Sequence, residues 1–428
     1  MSLASCNPAR LALAIAICLV TARLARGQDM PAGHQMDMDS AKSGTTVSAG
    51  ISGILLGTVA QPGVANRTLA EGYLTQPMAM AAFTSPGGRF SGEITIDFEG
   101  ATLERGELNA GMHGEGYVDR RHPHTLLHEV AATGFFGAGL SRLSVTAGRG
   151  FVPFGTDDPM SRPFVKYPVN HHLAQILERA MVAVAGASGP IVLEASTFGG
   201  DEPESPYDMP NWGRFGDSWS ARLTGRTTTG FEAQGSIARV KSPEQPHGGG
   251  LDHRKLSASV RYDLRGRYLL AEWARTKEVE NGNTAFTFQS ALAEGAVTRG
   301  RMRVGLRAER TERPEEERSI NVFRTPRPHS DLSILGRTRW LVLTANTGAT
   351  FRRKRSLFAP FIEVSMQRPR SLDKPTAFDP REFYGTNSLW SYSAGIRVGS
   401  GMRHERMGRY GVSASHAHGD DMQSHEDM

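Results

Sequence analysis

One stretch of the chain alternates strictly between apolar and charged positions. Residues 301–309 read Arg-Met-Arg-Val-Gly-Leu-Arg-Ala-Glu. Successive side chains of a strand point to opposite faces, whereas a helix would mix the two sets. Similar alternation returns at residues 94–98, 256–264 and 390–398. The sequence therefore predicts a large antiparallel sheet in which each strand has one apolar and one polar face.

The number of strands and the spacing between them narrow the fold. About sixteen strands are predicted between residues 45 and 399, an even number as in single-chain bacterial barrels. Short connections such as 265–266 alternate along the chain with long ones such as 151–180 and 311–335. A soluble β-sandwich is the alternative, but it does not require so many strands of about ten residues.

Lipid tolerates no open sheet edge, so membrane strands must close into a barrel. We predict an all-β fold, a closed antiparallel transmembrane β-barrel of about 16 strands over residues 45–399. In bacterial outer-membrane barrels the short turns are periplasmic and the long loops are external. Counted this way, both termini of the chain are periplasmic.

The two ends of the chain differ from the barrel. Arg10 precedes an apolar run, and small residues follow it, which predicts a secretory signal peptide over residues 1–27. An organelle transit peptide is the alternative. Both cysteines, Cys6 and Cys18, lie in this leader. Residues 28–44 and 400–428 are rich in Met, His and Asp, and we predict a disordered segment and a periplasmic tail.

Composition and motifs argue against several function classes. Removing the leader's three arginines leaves 49 − 3 = 46 basic residues against 44 acidic ones. The sequence pI of 9.3 therefore gives little support for nucleic-acid binding. Gly216-Asp217-Ser218 matches the start of a hydrolase motif, but Ser218 opens a predicted strand instead of a strand-to-helix turn. We expect no enzymatic activity.

Charged residues on the polar faces of the strands are candidates for the lining of a lumen. A barrel of about sixteen strands leaves an aqueous interior, and opposed basic and acidic walls would orient ions and polar solutes. The alternative is that these charges neutralise one another inside a barrel plugged by its own loops. The predicted lumen residues are Arg261, Arg265, Arg301, Arg303, Arg307, Glu93, Asp97 and Glu129.

Histidines in two predicted loops form the densest set of metal-capable side chains. The candidate ligands are His122, His124, His171 and His172, with His128 and Glu129 nearby. Imidazole suits zinc or copper(II). The alternative is that these residues join two loops by hydrogen bonds. The Met- and His-rich ends suit copper, or are simply solvated. No other cofactor is expected.

Several segments resemble a family of mostly uncharacterised Gram-negative outer-membrane barrel proteins. Its Asp-Arg-Gln-His-Pro-His-Asp motif corresponds to residues 119–125, with Arg121 in place of Gln and Thr125 in place of Asp. The likeness continues at residues 155–163, His171-His172 and residues 384–397. Members are often encoded beside copper-handling proteins, which implies metal export or tolerance.

Two functions are therefore open at this point. One is a porin-like channel that lies in the lipid bilayer and passes small polar or ionic solutes. The other is a metal-binding outer-membrane protein, for copper or zinc, with the barrel as a scaffold. No nucleic-acid partner is expected, and the sequence does not indicate an oligomeric state.

Overall fold

A computed structural model gives the fold of most of the chain. The described residues are 44–61, 68–103, 124–138, 141–169, 171–203, 205–245, 247–316, 334–373, 379–402 and 406–415. The predicted leader, the N-terminal Met/His/Asp segment up to residue 43 and the last thirteen residues therefore lie outside the described residues, as does His122.

The described strands form one closed antiparallel sheet. Each strand pairs with its neighbours in chain order, and the first strand also pairs with the last. The strands are β1 (Thr46–Gln61), β2 (Leu69–Thr84), β3 (Phe90–Asp97), β4 (Leu127–Ala138), β5 (Ser141–Phe151), β6 (Glu178–Ser188), β7 (Ile191–Phe198), β8 (Ser218–Arg226), β9 (Phe231–Val240), β10 (Asp252–Leu264), β11 (Arg267–Glu280), β12 (Asn283–Arg299), β13 (Met302–Glu316), β14 (Ile334–Ala349), β15 (Phe351–Arg353), β16 (Ser356–Ser371) and β17 (Leu389–Gly401).

The short strand β15 continues β14 after a break at Thr350. Both pair with β16, in one continuous register from Thr338 to Arg353. Counted as one, they leave sixteen strands in the barrel wall. The predicted fold class and strand number are therefore confirmed.

The two faces of the sheet follow the alternation in the sequence. In β13, Val304 and Leu306 are 57% and 66% exposed, whereas Arg307 and Glu309 are 3% and 6% exposed. Exposed apolar side chains such as Leu269, Val297 and Ile362 continue this outer face on other strands. An apolar band on the outside and polar residues inside are the pattern of a barrel in lipid.

The helices are short and lie between strands or after the last one. They are α1 (Glu99–Thr102), α2 (His171–Ala174), α3 (Pro380–Tyr384) and α4 (Val412–Ser415), with 3₁₀ turns at Pro86–Gly88, Pro159–Ser161 and Trp212–Arg214. Among the described residues, no helix has the length and apolar character needed to cross a bilayer.

Tight turns and long loops occupy opposite rims of the barrel. Arg265-Gly266 joins β10 to β11 with φ angles of 50° and 71°, a conformation typical of two-residue hairpin turns. Residues 300 and 301 join β12 to β13 on the same rim. On the opposite rim, β5 is joined to β6 by 26 residues, 152–177. One link on that rim is short, the Asn281-Gly282 turn.

Two segments fold back inside the barrel. Residues 152–169 and 171–177, the lumen segment, cross the interior and contact β2, β9, β11, β13 and β16. Residues 406–414, the C-terminal segment, contact β4, β5, β8 and β9. This corrects the expectation that the chain beyond residue 400 leaves the barrel as a tail, because this part is buried in the interior.

Candidate functional site

The interior of the barrel is filled around its whole circumference. Every wall strand contributes at least one inward polar side chain that is at most 6% exposed. A water-filled lumen would leave such side chains accessible, so their burial means that protein occupies the interior. One such residue from each wall strand, in order, is Thr58, Thr75, Thr95, Glu129, Thr146, Glu178, Glu194, Arg222, Gln234, Ser257, Glu272, Glu294, Arg307, Thr344, Glu363 and Ser391.

Wall carboxylates hold the lumen segment by its backbone. The carboxylate of Glu363 accepts the N–H groups of Val165 and Lys166, both at 2.9 Å. Glu309 accepts the N–H of Val169 at 2.8 Å. The segment is therefore fixed to β13 and β16, the side of the barrel opposite its own ends.

Arg307 joins the lumen segment to the same wall. Its guanidinium donates to Glu294 at 2.7 Å and to the carbonyl of Lys166 at 2.8 Å. The guanidinium also lies 4.2 Å from the ring centroid of Phe164, within the range of a cation–π contact. Nearby, Val165 packs among inward apolar side chains of β1 and β14, such as Leu56. The interior therefore has a packed core.

Asp157 of the lumen segment is the centre of an ionic network. Arg406 donates to both of its oxygens at 2.7 and 2.9 Å, Arg409 donates at 3.1 Å, and Arg261 of β10 also donates to it. Glu232 of β9 accepts from Arg406 and Arg409 at 2.8 to 3.0 Å. Three arginines thus join two carboxylates, and the C-terminal segment supplies two of the three.

The network fixes the charge of its members. Burial would raise the pKa of Asp157, but the charges of Arg406, Arg261 and Arg409 hold that pKa well below its ordinary value. Burial and the nearby guanidinium of Arg222 lower the pKa of Arg409 to about 10. At neutral pH both groups are charged, so the C-terminal segment is held as an ion pair with the lumen segment.

Further contacts hold the middle of the C-terminal segment against β4, β5 and β8. Arg222 pairs with Glu194 at 2.6 and 2.7 Å and donates to the carbonyl of Gly408 at 2.8 Å. The hydroxyl of Tyr410 donates to Glu129 and accepts the N–H of Phe151, both at 2.8 Å. Burying these charges without partners would be costly, and each has one.

Six of the eight predicted lumen charges face the interior. Arg303 of β13 joins Arg307 on the inward face, and Arg261 does the same from β10. The acidic three, Glu93, Asp97 and Glu129, also point inward. The basic side is not a wall of free positive charge, because Arg307 pairs with Glu294 of the neighbouring strand and Arg261 pairs with Asp157 of the lumen segment.

The prediction that Arg265 and Arg301 line the lumen is wrong. Both are exposed residues of hairpin turns. Strand β12 extends to Arg299, so the turn falls at residues 300–301 and Arg301 lies at its corner. Likewise, β10 ends at Leu264, and Arg265 adopts a positive φ in the turn with Gly266. Alternation continues past the end of a strand in the sequence but not in the structure.

Of the predicted histidines that the structure describes, His124 and His171 have different polar partners. His124 is buried, and its Nδ1 lies 3.1 Å from Glu178. The ring of Tyr167 lies between His124 and His171, at 5.5 and 5.3 Å from the two imidazoles. The Nδ1 of His171 is instead 3.0 Å from the carbonyl of Pro168, and the ring of His172 lies 4.0 Å from that of His171, centroid to centroid, at a tilt of 57°.

A different cluster forms around His124. His124, His128 and Glu178 are all buried, and one nitrogen or oxygen atom from each lies within 4.8 Å of the others. A β-bulge brings His128 into the group. Thr95 pairs with Glu129 and Ile96 pairs with Leu127, which leaves His128 as the extra residue of β4. Bulges redirect a side chain in this way, so His128 and Glu129 both point inward.

Most of the site residues outside the predicted set come from loops and from the chain end. Asp157, Arg406 and Arg409 lie in segments without periodicity, and Glu178 opens a strand after a long loop. Only the strand residues were open to sequence analysis. Glu309, for example, lies on the charged face of the same alternating stretch that predicted β13.

Ser218, the serine of the hydrolase-like motif, opens β8. Its hydroxyl donates to Asp217 at 2.6 Å and accepts the N–H of Lys241 at 2.9 Å. These bonds join the end of the loop between β7 and β8 to the start of the loop between β9 and β10. The residue therefore has a structural explanation.

Comparison with known proteins gives a distant likeness of shape. No protein-family model matches the chain, and no curated protein does. Solved structures similar to it include the anion-selective porin from Comamonas acidovorans, with 10% identity, a TM-score of 0.49, and coverage of 84% of this chain and all of that one.

Two other similar structures are the outer membrane channel DcaP of Acinetobacter baumannii and OmpF of Salmonella typhi in complex with daunomycin. Their identities are 9% and 11%, and both have a TM-score of 0.48. They cover 85% and 83% of this chain and 99% and 98% of their own. At this level the comparison does not carry function, and the barrel topology rests on the strand pairing described above.

Proposed function

We propose that the protein is an outer-membrane channel for small polar or ionic solutes, with a lumen restricted by its own chain. The observation that carries this proposal is a closed barrel with an apolar outer face and a charged, polar inner face. Lipid-facing apolar residues keep the barrel in the membrane, and the inward charged side chains would face a solute once the segments inside the barrel move.

The restriction comes from the lumen segment and the C-terminal segment. Between them lies a cavity of about 10 Å³, lined by residues that include Asp157, Glu232 and Arg406. This is room for about one water molecule. We propose that the two segments narrow the path at this level, and that a solute passes when one of them moves.

Planar-bilayer recording tests the proposal with two samples, the full chain and a chain that ends at Gly401. The full chain should conduct weakly. The shortened chain should conduct more. If neither sample conducts in any salt, the barrel is not a channel.

We further propose that the tight turns are periplasmic and the long loops external. Met209, in the loop between β7 and β8, is 69% exposed, and Thr229 is exposed in the turn between β8 and β9 on the opposite rim. Single cysteines at these sites should differ in labelling by a membrane-impermeant thiol reagent. Met209→Cys should react on intact cells, and Thr229→Cys only after permeabilisation. The reverse pattern would invert the orientation.

A second candidate is a metal-binding outer-membrane protein for which the barrel serves as a scaffold. The cluster of His124, His128 and Glu178 favours it, because two imidazoles and a carboxylate are the donor types of zinc sites. The two candidates are compatible, since the cluster lies beside the lumen segment and not across the cavity.

A further inference from the structure

We infer that His124, His128 and Glu178 form a binding site for one divalent transition-metal ion, with zinc(II) as the probe. This deepens the second candidate function. The site residues come from three places: the approach to β4, the bulge in β4, and the first position of β6. Glu178 directly follows the lumen segment, so an ion here would tie the end of that segment to the barrel wall.

The donor atoms converge on one point. Nδ1 of His128 lies 2.6 Å from Oε1 of Glu178, and Nδ1 of His124 lies 3.1 Å from the same oxygen. Tetrahedral zinc with bonds of about 2.0–2.2 Å separates its ligand atoms by about 3.3 Å. The two distances to Oε1 would therefore lengthen by about 0.7 Å (3.3 − 2.6) and about 0.2 Å (3.3 − 3.1), and the ligand atoms of the two imidazoles lie within 4.8 Å of each other.

The contact of His128 with Glu178 is short but does not have the geometry of a hydrogen bond. Among the described residues, neither ring nitrogen of His128 has a hydrogen-bond partner, and its side chain is fully buried. Buried polar groups are normally satisfied, and an orphan needs an explanation such as an ion.

The surroundings supply orientation and charge. The hydroxyl of Tyr167 lies 2.9 Å from Nε2 of His124, the place from which an outer partner orients a ligating imidazole. If Nε2–H donates to that hydroxyl, Nδ1 turns its lone pair toward Glu178. Asp97 and Asp158 are within electrostatic range of both imidazoles.

The competing account is a buried ion pair, with protonated imidazoles neutralising Glu178. In that account both imidazoles contact one carboxylate oxygen, at 2.6 and 3.1 Å, and His128 does so without the angle of a hydrogen bond. The two accounts differ in a measurable way, since only one of them includes a bound ion.

The test is zinc(II) binding to the full chain in detergent, stripped of metal and titrated against a competing chromophoric chelator. One zinc ion per chain should resist the chelator. His128→Ala and Glu178→Gln should each weaken that binding by at least about 100-fold, and Tyr167→Phe by roughly 10–100-fold. The Met- and His-rich chain ends are the same in every sample, so their weak binding cancels in the comparison.

His253→Ala is the matched control. His253 also faces the interior and lies 3.7 Å from a carboxylate, that of Glu278, but the described residues place no third ligand there. It should keep the chelator-resistant zinc. Folding of each variant is checked by the shift in gel mobility on heating.

Equal binding by the wild type, His128→Ala and Glu178→Gln would overturn the site, as would the absence of chelator-resistant zinc from the wild type. The assay involves no current, so this result and the conductance result can fail independently. In a zinc-loaded sample, X-ray absorption should show nitrogen or oxygen neighbours at about 2.0–2.2 Å.

Discussion

Shortening the chain to end at Gly401 should raise the single-channel conductance several-fold. The change removes Arg406, Arg409 and Tyr410 from the lumen, and it keeps β17 with its pairing to β1 and β16. The measurement is single-channel current in planar bilayers at matched salt. The lumen segment remains in place, so the opened path is still narrower than an empty barrel.

The same truncation should also change ion selectivity. Asp157 and Glu232 lose two of the three arginines that join them and become accessible to water. We expect a shift of the reversal potential toward cation preference. The shift should be larger at 0.1 M salt, where the Debye length is about 10 Å, than at 1 M, where it is about 3 Å.

A chain that ends at Ser415 is the matched control. It removes thirteen residues from the end but keeps the C-terminal segment, and it should conduct like the full chain. If both shortened chains conduct like the full one, the C-terminal segment does not restrict the lumen.

Val304→Arg should destabilise the barrel by about 2–4 kcal/mol, the cost of an arginine on the lipid face near the middle of the membrane. Val304 lies in β13 and is 57% exposed on the apolar outer face. The measurement is urea unfolding of protein refolded into lipid vesicles, followed by gel mobility. Val304→Leu keeps the site apolar and should be close to the wild type.

The neighbouring position is not a suitable control for this experiment. Gly305 faces inward, and a Cβ atom there would lie 3.2 Å from the ring of Phe164 in the lumen segment. An arginine at 305 would therefore disturb packing for a steric reason. If Val304→Arg unfolds at the same urea concentration as Val304→Leu, the outer face is not in lipid.

The sequence predicted the wall of the barrel because strand faces are determined locally. Alternation in β13 placed Arg303 and Arg307 inside and Val304 outside, as the structure confirms. It failed where backbone pairing interrupts the period. The bulge at His128 turns two successive residues inward. The sequence of β4 alone does not indicate which of its residues will have no pairing partner on β3.

The contents of the lumen were beyond sequence analysis for a different reason. Arg406 and Arg409 lie about 250 positions from Asp157 in the chain, and no local pattern relates them. The segment that carries them is short and polar, like a solvated tail. It is buried only because carboxylates on the lumen segment and on β9 provide partners, which depends on the closed barrel.

The claim that residues 406–414 lie inside the barrel is tested most directly by a disulfide between Ser144→Cys and Gly411→Cys. A Cβ atom built on Gly411 would lie 2.6 Å from the Cβ of Ser144. A disulfide needs about 3.5–4.5 Å, a shift of roughly 1 Å. With Cys6 and Cys18 changed to Ser in every sample, the pair would be the only thiols present. We expect the double variant to crosslink in native membranes, visible as a reductant-sensitive change in gel mobility that neither single variant shows. Two free thiols, both open to a small water-soluble reagent, would contradict the account.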